Sequence, residues 1–334
     1  MNMGTVLPDY LSSVALRLGR VDELAEDIAE LCFAFVRSDP LELRERRAGG
    51  KASLFVHGID QVPPAIGLVF SDAINQLRSV LDNALVLVIE MERGVSLTGP
   101  AERAAQFLIY DDETKYRTAL RRLVAHLPEL AVDAPLGKRI YELQPFRPLE
   151  QIRQMRTRRS VTAHGGHHLR VLQEYSNADK HRRPHVFAVG NAVTRAATGA
   201  VKVGVENVSQ LEIGQVVSST SLGASGVVEI WPFVGVHRTL ADELVPPGAE
   251  LCELHRYMAE IALPRLAGLP EGAVFPPGVD LRSLRISDAE RVATAESTYA
   301  HERLGFRFAL EMRQVELDAQ REGRGTIRVP RQED

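Results

Sequence analysis

The chain has 334 residues, of which 45% are hydrophobic and 25% charged, with a net charge of −4 and a mean hydropathy of −0.11. A chain of this length and composition buries a substantial core, as one large domain or two closely packed ones. The acidic balance excludes a chain-wide attraction to nucleic acid or anionic lipid. The longest apolar run, "ALVLVI" at 84–89, is too short to span a bilayer.

The N-terminal residues lack the basic segment and apolar core of a signal peptide. Cys32 and Cys252 lie far apart in apolar helical contexts, which favours buried thiols of a reducing compartment over a disulfide. We therefore expect a cytoplasmic protein. A Gly-rich phosphate loop, a nucleophile elbow and a paired-cysteine motif are all missing from the sequence, so we expect neither a cofactor nor a metal.

Two long helices are predicted in the first part of the chain. The first has an apolar stripe from Leu11 to Phe35 and ends at the "SDP" that precedes residue 41. The second runs from Pro64 to Arg93, with apolar positions that extend to Met91 and a stretch at 84–89 that we expect to be buried all round.

The second helix also carries a polar stripe in its first half. Asn75, Arg78 and Asp82 stand at i, i+3 and i+7, so they point the same way. A buried helix with three such groups needs partners for them, because an unpaired buried charge costs several kcal/mol.

Three shorter helices follow, then the pattern changes to strands. The helices are predicted at 111–127, at 136–143 and from His168 to Arg182, where Pro184 ends the last of them. "HVFAVGNAV", "AVKVGVEN", "QLEIGQVV" and "VVEIWPFV" predict a small antiparallel sheet from His185 to Val236. The capping box of Ser287 and Glu290 predicts a long last helix to Arg321.

These elements indicate an α+β fold that is mainly α: a helical bundle with an inserted small antiparallel β-sheet and a long C-terminal helix. We predict a bundle at 1–184, a β insertion at 185–240, and C-terminal helices at 241–334 that pack back on the bundle. The last helix is a plausible dimer interface, so we expect a homodimer.

Positive charge is concentrated in one segment. Between Gln151 and Arg183, eight Arg and Lys residues face two acidic ones, a net charge of +6, so the rest of the chain carries −10. Such a segment predicts a local anion site, and a solvated basic loop explains it equally well. The candidate phosphate-binding residues are Arg153, Arg156, Arg158, Arg159, Arg182 and Arg183.

A polar cluster ends the helix that follows. Asn177, Lys180 and His181 share one helix face, and Asp179 stands four residues before Arg183. A histidine beside fixed cations is suited to acid–base cleavage of RNA, with the cations on the phosphate. Alternatively, the cluster braces the polar stripe of the second helix through pairs such as Asp82–His181 or Asp179–Arg78. In both cases we predict that the two polar stripes meet.

Three motifs carry a resemblance to a known family. "FSDAINQLRSVLDNAL", "IYELQPF" and "LRVLQEYSNADKHR" resemble, over residues 10 to 265, a family of functionally unassigned bacterial and phage-encoded proteins. Members share "NLRSALDHL", "LQPY" and "ELNNIDKHR" in this order. This chain has Asn83 where the family often has His, and Phe146 where it often has Tyr. The missing histidine counts against catalysis by that helix.

The helical core is also similar, more loosely, to HEPN domains, which include metal-independent ribonucleases and non-catalytic dimerising proteins. From the polar residues themselves we expect binding of RNA or a phosphorylated small molecule, with Arg78, Asp82, Asn177, Lys180 and His181 as catalytic candidates and Asn75 and Asp179 as binding ones. The HEPN resemblance implies a metal-independent ribonuclease as the activity. The alternative is a non-catalytic homo-oligomeric protein. Three histidines in "HGGHH" predict a mobile loop rather than a metal site, and the 6% aromatic content argues against a base-stacking platform.

Overall fold

The structure is a computed structural model, and it describes residues 7–147, 167–181, 186–196, 201–221, 226–238, 241–276, 278–284, 286–295, 298, 300 and 303. Two long helices pack against each other at its centre: α1 spans Ser12–Arg37 and α2 spans Pro64–Arg93. Pro64 begins α2 because a proline is tolerated in the first turn, and Gly94, with φ of 71°, ends it in the left-handed conformation. Both helices are confirmed where the sequence predicted them.

A β-hairpin connects these two helices. β1 spans Leu41–Ala48 and pairs antiparallel with β2, Lys51–Ile59. Gly49 and Gly50 form the turn, with φ of 57° and 75°. Two successive residues with positive φ are the requirement of a type I′ turn, which matches the twist of the paired strands. Between the two long helices, the sequence predicts one short strand, "SLFVHGI" at 53–59, which corresponds to β2, so β1 is an addition.

Three short helices follow α2 in the chain. α3 spans Gly99–Ala104, α4 spans Glu113–Val124 and α5 spans Pro135–Glu142. The Asp112 carboxylate accepts the backbone N–H of Lys115 and caps α4, and Pro135 begins α5. Between α3 and α4, residues 105–110 form an extended segment that lies beside α2.

α6 spans His168–His181, and the strands follow it. Their bounds are β3 Val186–Ala196, β4 Val201–Gln210, β5 Val216–Ser221, β6 Gly226–Arg238 and β7 Glu243–Val245. One antiparallel sheet has the order β4-β3-β6-β7 and the other has the order β1-β2-β5. The α+β class and the antiparallel pairing of the inserted strands are therefore confirmed.

The expectation of a single sheet is wrong, because β5 leaves the inserted strands and pairs with β2 instead. Residues 51–55 of β2 face residues 216–221 of β5, more than 150 positions later in the chain. Local alternation predicts that a segment is a strand, but it carries no information on which distant strand becomes its neighbour. The division of the chain into three parts stays a prediction.

The chain then returns to helix against the bundle. α7 spans Pro247–Tyr257, continues through a π-helical turn at Met258–Ala262 and ends as the short α8, Leu263–Leu266. Pro264 lacks the N–H that would bond to the carbonyl four residues earlier, so the helix widens just before it. The carbonyl of Ala259 accepts the backbone N–H of Phe275 at 3.0 Å, which satisfies a group that the wider turn leaves exposed.

The capping box near the C-terminus is confirmed, but the helix that it begins is short. Ser287 Oγ accepts the N–H of Glu290, whose carboxylate accepts the N–H of Ser287. α9 spans Asp288–Ala293 and ends at Thr294. The rest of the predicted helix to Arg321 lies almost entirely outside the described residues. Within the described part of the chain, no helix has both the length and the apolar character needed to cross a membrane.

The core lies where α1, α2, α6 and α7 meet. The predicted apolar stripe of α2 is buried from Phe70 to Ile89, and each fully buried aliphatic or aromatic side chain contributes about 1.5–3 kcal/mol. The prediction that the apolar stripe of α2 extends to Met91 is wrong, because this side chain is 57% exposed in the last turn of the helix. Burial raises the pKa of the free thiol of Cys252 to about 12, so it stays protonated, and Cys32 is a free thiol that is half-buried.

Candidate functional site

The first half of α2 packs against the second half of α6. The rings of Phe70 and Tyr175 meet edge to face with centroids 5.0 Å apart, and both side chains are buried. This aromatic contact fixes the two helices so that the polar residues one turn further along each of them face each other. The two helices therefore meet, but the predicted stripes do not meet as sets. Among the stripe residues whose side chains the structure describes, only Asn75 takes part in the polar contact between the helices.

Asp179 is the centre of that polar contact. Its carboxylate accepts a hydrogen bond from Nδ2 of Asn75 at 2.8 Å and a second one from Oγ of Ser71. Ser71 and Asn75 are one turn apart on α2, so a single carboxylate spans them. Asn75 and Asp179 are both predicted site residues, whereas no sequence pattern marks Ser71. Both oxygens of Asp179 are thus occupied by α2.

Arg78 and Asp82 turn away from α6 and bind the extended segment instead. The Asp82 carboxylate accepts the N–H of Phe107 at 2.7 Å and lies 3.3 Å from Nη2 of Arg78, which also donates to the carbonyl of Phe107. Burial lowers the pKa of Arg78, and the charge of Asp82 opposes this effect. The hypothesis of an Arg78–Asp179 pair is therefore wrong.

The remaining predicted residues of α6 do not join this contact as a set. Asn177 is exposed and its Oδ1 accepts a hydrogen bond from Gln173 at 2.7 Å. Lys180 and His181 lie in the last turn of α6, but their side chains are outside what the structure describes. The other basic candidates also lie outside the described residues; they are Arg153, Arg156, Arg158, Arg159, Arg182 and Arg183.

The glutamine of the "LQPF" motif has a role in the same extended segment. Gln144 is fully buried, its Oε1 accepts the N–H of Tyr110 at 3.1 Å, and its Nε2 donates to the carbonyl of Leu108 at 2.8 Å. Residues 107–110 are therefore held by Arg78 and Asp82 at one end and by Gln144 at the other. Two of the three family-like motifs thus hold one stretch of backbone in place.

We predict that Asp82→Ala destabilises the protein by about 2 kcal/mol, because it removes the acceptor of the Phe107 N–H and the charge that pairs with the half-buried guanidinium of Arg78. Chemical denaturation monitored by circular dichroism measures this change. The control is Asp72→Ala, an exposed position on the same helix, which we expect to change stability by less than about 0.5 kcal/mol. Equal stability of the two variants would contradict the bracing role of Asp82.

A buried ion pair that no sequence pattern predicted lies next to Tyr175 of α6. The Glu250 carboxylate of α7 accepts three hydrogen bonds. Two come from Arg238, through Nε at 2.7 Å and through Nη2, and the third comes from the hydroxyl of Tyr175 at 3.1 Å. Burial alone lowers the pKa of Arg238, but the hydrogen bond and charge of Glu250 raise it above its ordinary value. The only sequence signal was an acid that shares a helix face with Leu254.

The histidines of "HGGHH" that the structure describes are packed, in contrast to the predicted mobile loop. His168 stacks on Tyr257 with centroids 4.6 Å apart and an interplanar angle of 3°, and His167 meets the same ring edge to face at 5.8 Å. His164 lies outside the described residues. In the part of the chain that is described, no group of three His, Cys, Asp or Glu side chains is arranged to hold a metal ion.

A second unpredicted feature is a cluster of four aromatic rings beside α4. Tyr116 is buried at its centre, and the half-buried rings of Tyr110, Tyr141 and Phe146 lie 5.7 to 6.5 Å from it. The low aromatic content of the chain had argued against a base-stacking platform. An overall content does not determine where aromatic rings cluster in the fold. The one signal in the sequence was Phe146 in the "LQPF" motif.

Two arginines flank the outermost ring of this aromatic cluster. The guanidinium carbons of Arg117 and Arg147 lie 5.3 Å and 5.5 Å from the ring centroid of Tyr141. The Tyr141 hydroxyl and Nε of Arg117 both donate to Oε1 of Glu113, at 2.7 Å and 2.8 Å. These two hydrogen bonds, with that of Tyr141 the stronger, lower the pKa of Glu113.

No protein-family model, curated protein or solved structure matches this chain. The resemblance to the unassigned bacterial and phage family, and the looser one to HEPN domains, therefore stay expectations. Function has to be inferred from the geometry of the described residues alone.

Proposed function

We propose that this chain is a non-catalytic interaction protein, in which the polar residues of α2 and α6 are a structural brace. The observation that carries the proposal is the double hydrogen bond from Ser71 and Asn75 to Asp179. A carboxylate whose two oxygens are held by protein donors connects two helices and has no need of a substrate. Arg78 and Asp82 are engaged in the same way with the backbone of Phe107.

The competing ribonuclease hypothesis needs a general base within hydrogen-bond reach of a phosphodiester. Of its five catalytic candidates, Arg78 and Asp82 are engaged with protein groups, and Asn177 lies on the exposed side of α6. The hypothesis then depends on His181 and Lys180 alone. A brace requires only the contacts that are already made, which is why we prefer it.

Binding of RNA or a phosphorylated small molecule, without cleavage, is the second candidate function. The net charge of +6 between residues 151 and 183 favours it, on a chain whose total is −4. The arginines that flank Tyr141 add exposed cations beside aromatic rings. We keep the cytoplasmic location and the homodimer as parts of the proposal, with the homodimer to be measured by light scattering.

The brace is tested by Asp179→Ala. Loss of two hydrogen bonds to a charged acceptor should destabilise the protein by about 2 kcal/mol. With an unfolding entropy of about 2 cal/mol/K per residue, this lowers the Tm by about 3 °C. The matched control is Asn177→Ala two residues earlier, whose exposed side chain bonds only within α6, and we expect its Tm to stay within about 1 °C of wild type.

The catalytic alternative is tested on the same samples with a labelled RNA and a chelator present. We expect no cleavage by the wild-type chain, and no change in RNA binding for His181→Ala. Metal-independent cleavage that His181→Ala abolishes, with an unchanged Tm, would overturn the proposal. An unchanged Tm for Asp179→Ala would also overturn the proposal, because it would show that the two hydrogen bonds to Asp179 do not stabilise the fold.

A further inference from the structure

The outward side of α4 carries a concentration of positive charge. We call Lys115, Arg117, Arg121 and Arg122 the α4 basic face; all four side chains are exposed. Lys115, Arg121 and Arg122 form no ion pair with any described residue, and Glu113 is the single acid among the twelve residues of the helix. The buried side of α4 holds Tyr116, Leu120 and Leu123.

The helical geometry arranges these cations in two rows. Arg117 and Arg121 are four residues apart, so they lie about 6 Å apart on one side of the exposed surface. Lys115 and Arg122 line the other side, and Thr114 and Thr118 lie between the two rows. On a chain with a net charge of −4, this surface suits an extended polyanion.

Aromatic rings continue the α4 basic face at its N-terminal end. Tyr141 lies between the guanidinium groups of Arg117 and Arg147, and the half-buried ring of Phe146 is 5.4 Å from it. The rings of Tyr141 and Phe146 are thus partly accessible and held in place by the buried Tyr116. Base stacking on such rings is what distinguishes binding of a single strand from general attraction to phosphate.

We infer that the α4 basic face, with Tyr141, Phe146 and Arg147, binds single-stranded RNA. Phosphates lie along the cations, and an unstacked base lies against the guanidinium planes that flank Tyr141 and the partly exposed ring of Phe146. RNA is favoured over DNA because Oε2 of Glu113 accepts no hydrogen bond from a described residue, which leaves it as an acceptor for a ribose 2′-hydroxyl. The inference rests on the second candidate function and names its binding surface and its ligand.

The binding experiment uses the full chain and a fluorescein-labelled oligouridylate of about 12 nucleotides, with anisotropy measured between about 50 and 200 mM salt. For Arg117→Ala with Arg121→Ala we expect binding to weaken about tenfold. The slope of log affinity against log salt should fall by about 1.4, since each phosphate contact on a single strand contributes about 0.7.

The matched control is Arg103→Ala with Arg282→Ala, two exposed arginines away from α4 that change the net charge by the same amount. We expect this control to bind like wild type. If the two double variants weaken binding equally, the attraction is not localised and the inference fails. It also fails if the wild-type chain gives no anisotropy change at micromolar concentration.

Stacking is tested at Tyr141. Tyr141→Leu should weaken binding about tenfold, whereas Tyr141→Phe keeps the ring and should bind like wild type. If Tyr141→Leu does not fold, Arg147→Ala, an exposed change, replaces it with the same expected direction. Equal affinity for a duplex, or for the DNA strand of the same length, would overturn the assignment to single-stranded RNA. The Tm results for Asp179→Ala do not depend on any of these outcomes, so the two proposals fail separately.

Discussion

Replacing Glu250 by Ala is expected to lower the Tm of this protein by about 4 to 7 °C. The substitution leaves the guanidinium of Arg238, whose side chain is 6% exposed, with the partly exposed carboxylate of Glu243 at 3.4 Å as its remaining ion-pair partner among the described residues. Removal of one partner of a buried ion pair lowers the free energy of unfolding by about 3–5 kcal/mol. The Tm shift follows from an unfolding entropy of about 2 cal/mol/K per residue.

Two comparisons make the Glu250 experiment specific. Glu243→Ala removes the more exposed acid on the same arginine and should cost less than about 1 kcal/mol, since exposed pairs contribute little. Glu250→Leu combined with Arg238→Met removes both charges and should recover much of the loss, because no unpaired charge is then buried. If Glu250→Ala is no less stable than Glu243→Ala, the network does not hold α6, α7 and β6 together.

The second large effect is expected at Gly137, inside α5. A Cβ atom built there lies 1.9 Å from the carbonyl oxygen of Ala131 and 2.5 Å from that of Leu130. Both are backbone atoms of a turn, so no side-chain rotation relieves the clash, and α5 must move away. We expect Gly137→Ala to destabilise the protein by about 3 kcal/mol. Differential scanning calorimetry should show a Tm about 4 °C lower.

Gly248→Ala is the matched control for Gly137→Ala. Gly248 also lies in a helix, but its nearest neighbour to an added Cβ is the Cβ of Ala29, at an ordinary 3.7 Å. The substitution should leave the Tm unchanged or raise it slightly, because Gly→Ala within a helix stabilises by about 0.5–1 kcal/mol. Similar Tm values for the two variants would show that the close approach of α5 to residues 130–131 does not exist.

The loss at Gly137 also bears on the bracing of the extended segment. α5 carries the chain into Gln144, which holds Leu108 and Tyr110. If α5 moves, the hydrogen bonds of Gln144 lengthen, and the rings of Tyr141 and Phe146 are no longer held in position. We therefore expect Gly137→Ala to weaken RNA binding as well, without touching a ligand-binding residue.

Helix positions were the most predictable part of the fold. Periodic apolar residues, Pro64, the "SDP" turn and the Ser287–Glu290 capping box are local signals, and local signals suffice to place α1, α2 and the beginning of α9. The hairpin strand β1 was missed because its sequence, "LELRERRA", is mostly charged and exposed, so it lacks the alternation of a half-buried strand. Its only signal was the Gly49–Gly50 pair.

Within the candidate site, the sequence identified the right helices but not the right partners. Asn75 and Asp179 do meet, whereas Arg78 and Asp82 bind Phe107, a residue that no motif marked. A helical stripe fixes the direction of a side chain to within a sector of the surface. Which backbone enters that sector depends on the path of a loop, and no local pattern encodes it.

By itself, the sequence determined the α+β class, the two long helices, the strand segments between His185 and Val236 and the local excess of positive charge, since each follows from the order of neighbouring residues. Only the tertiary structure decided that β5 pairs with β2, that Glu250 meets Arg238, and that four scattered aromatic rings form one cluster beneath the α4 basic face. Those pairings join residues far apart in the chain. Their free energy comes from burial and hydrogen bonds that exist only once the whole fold has formed.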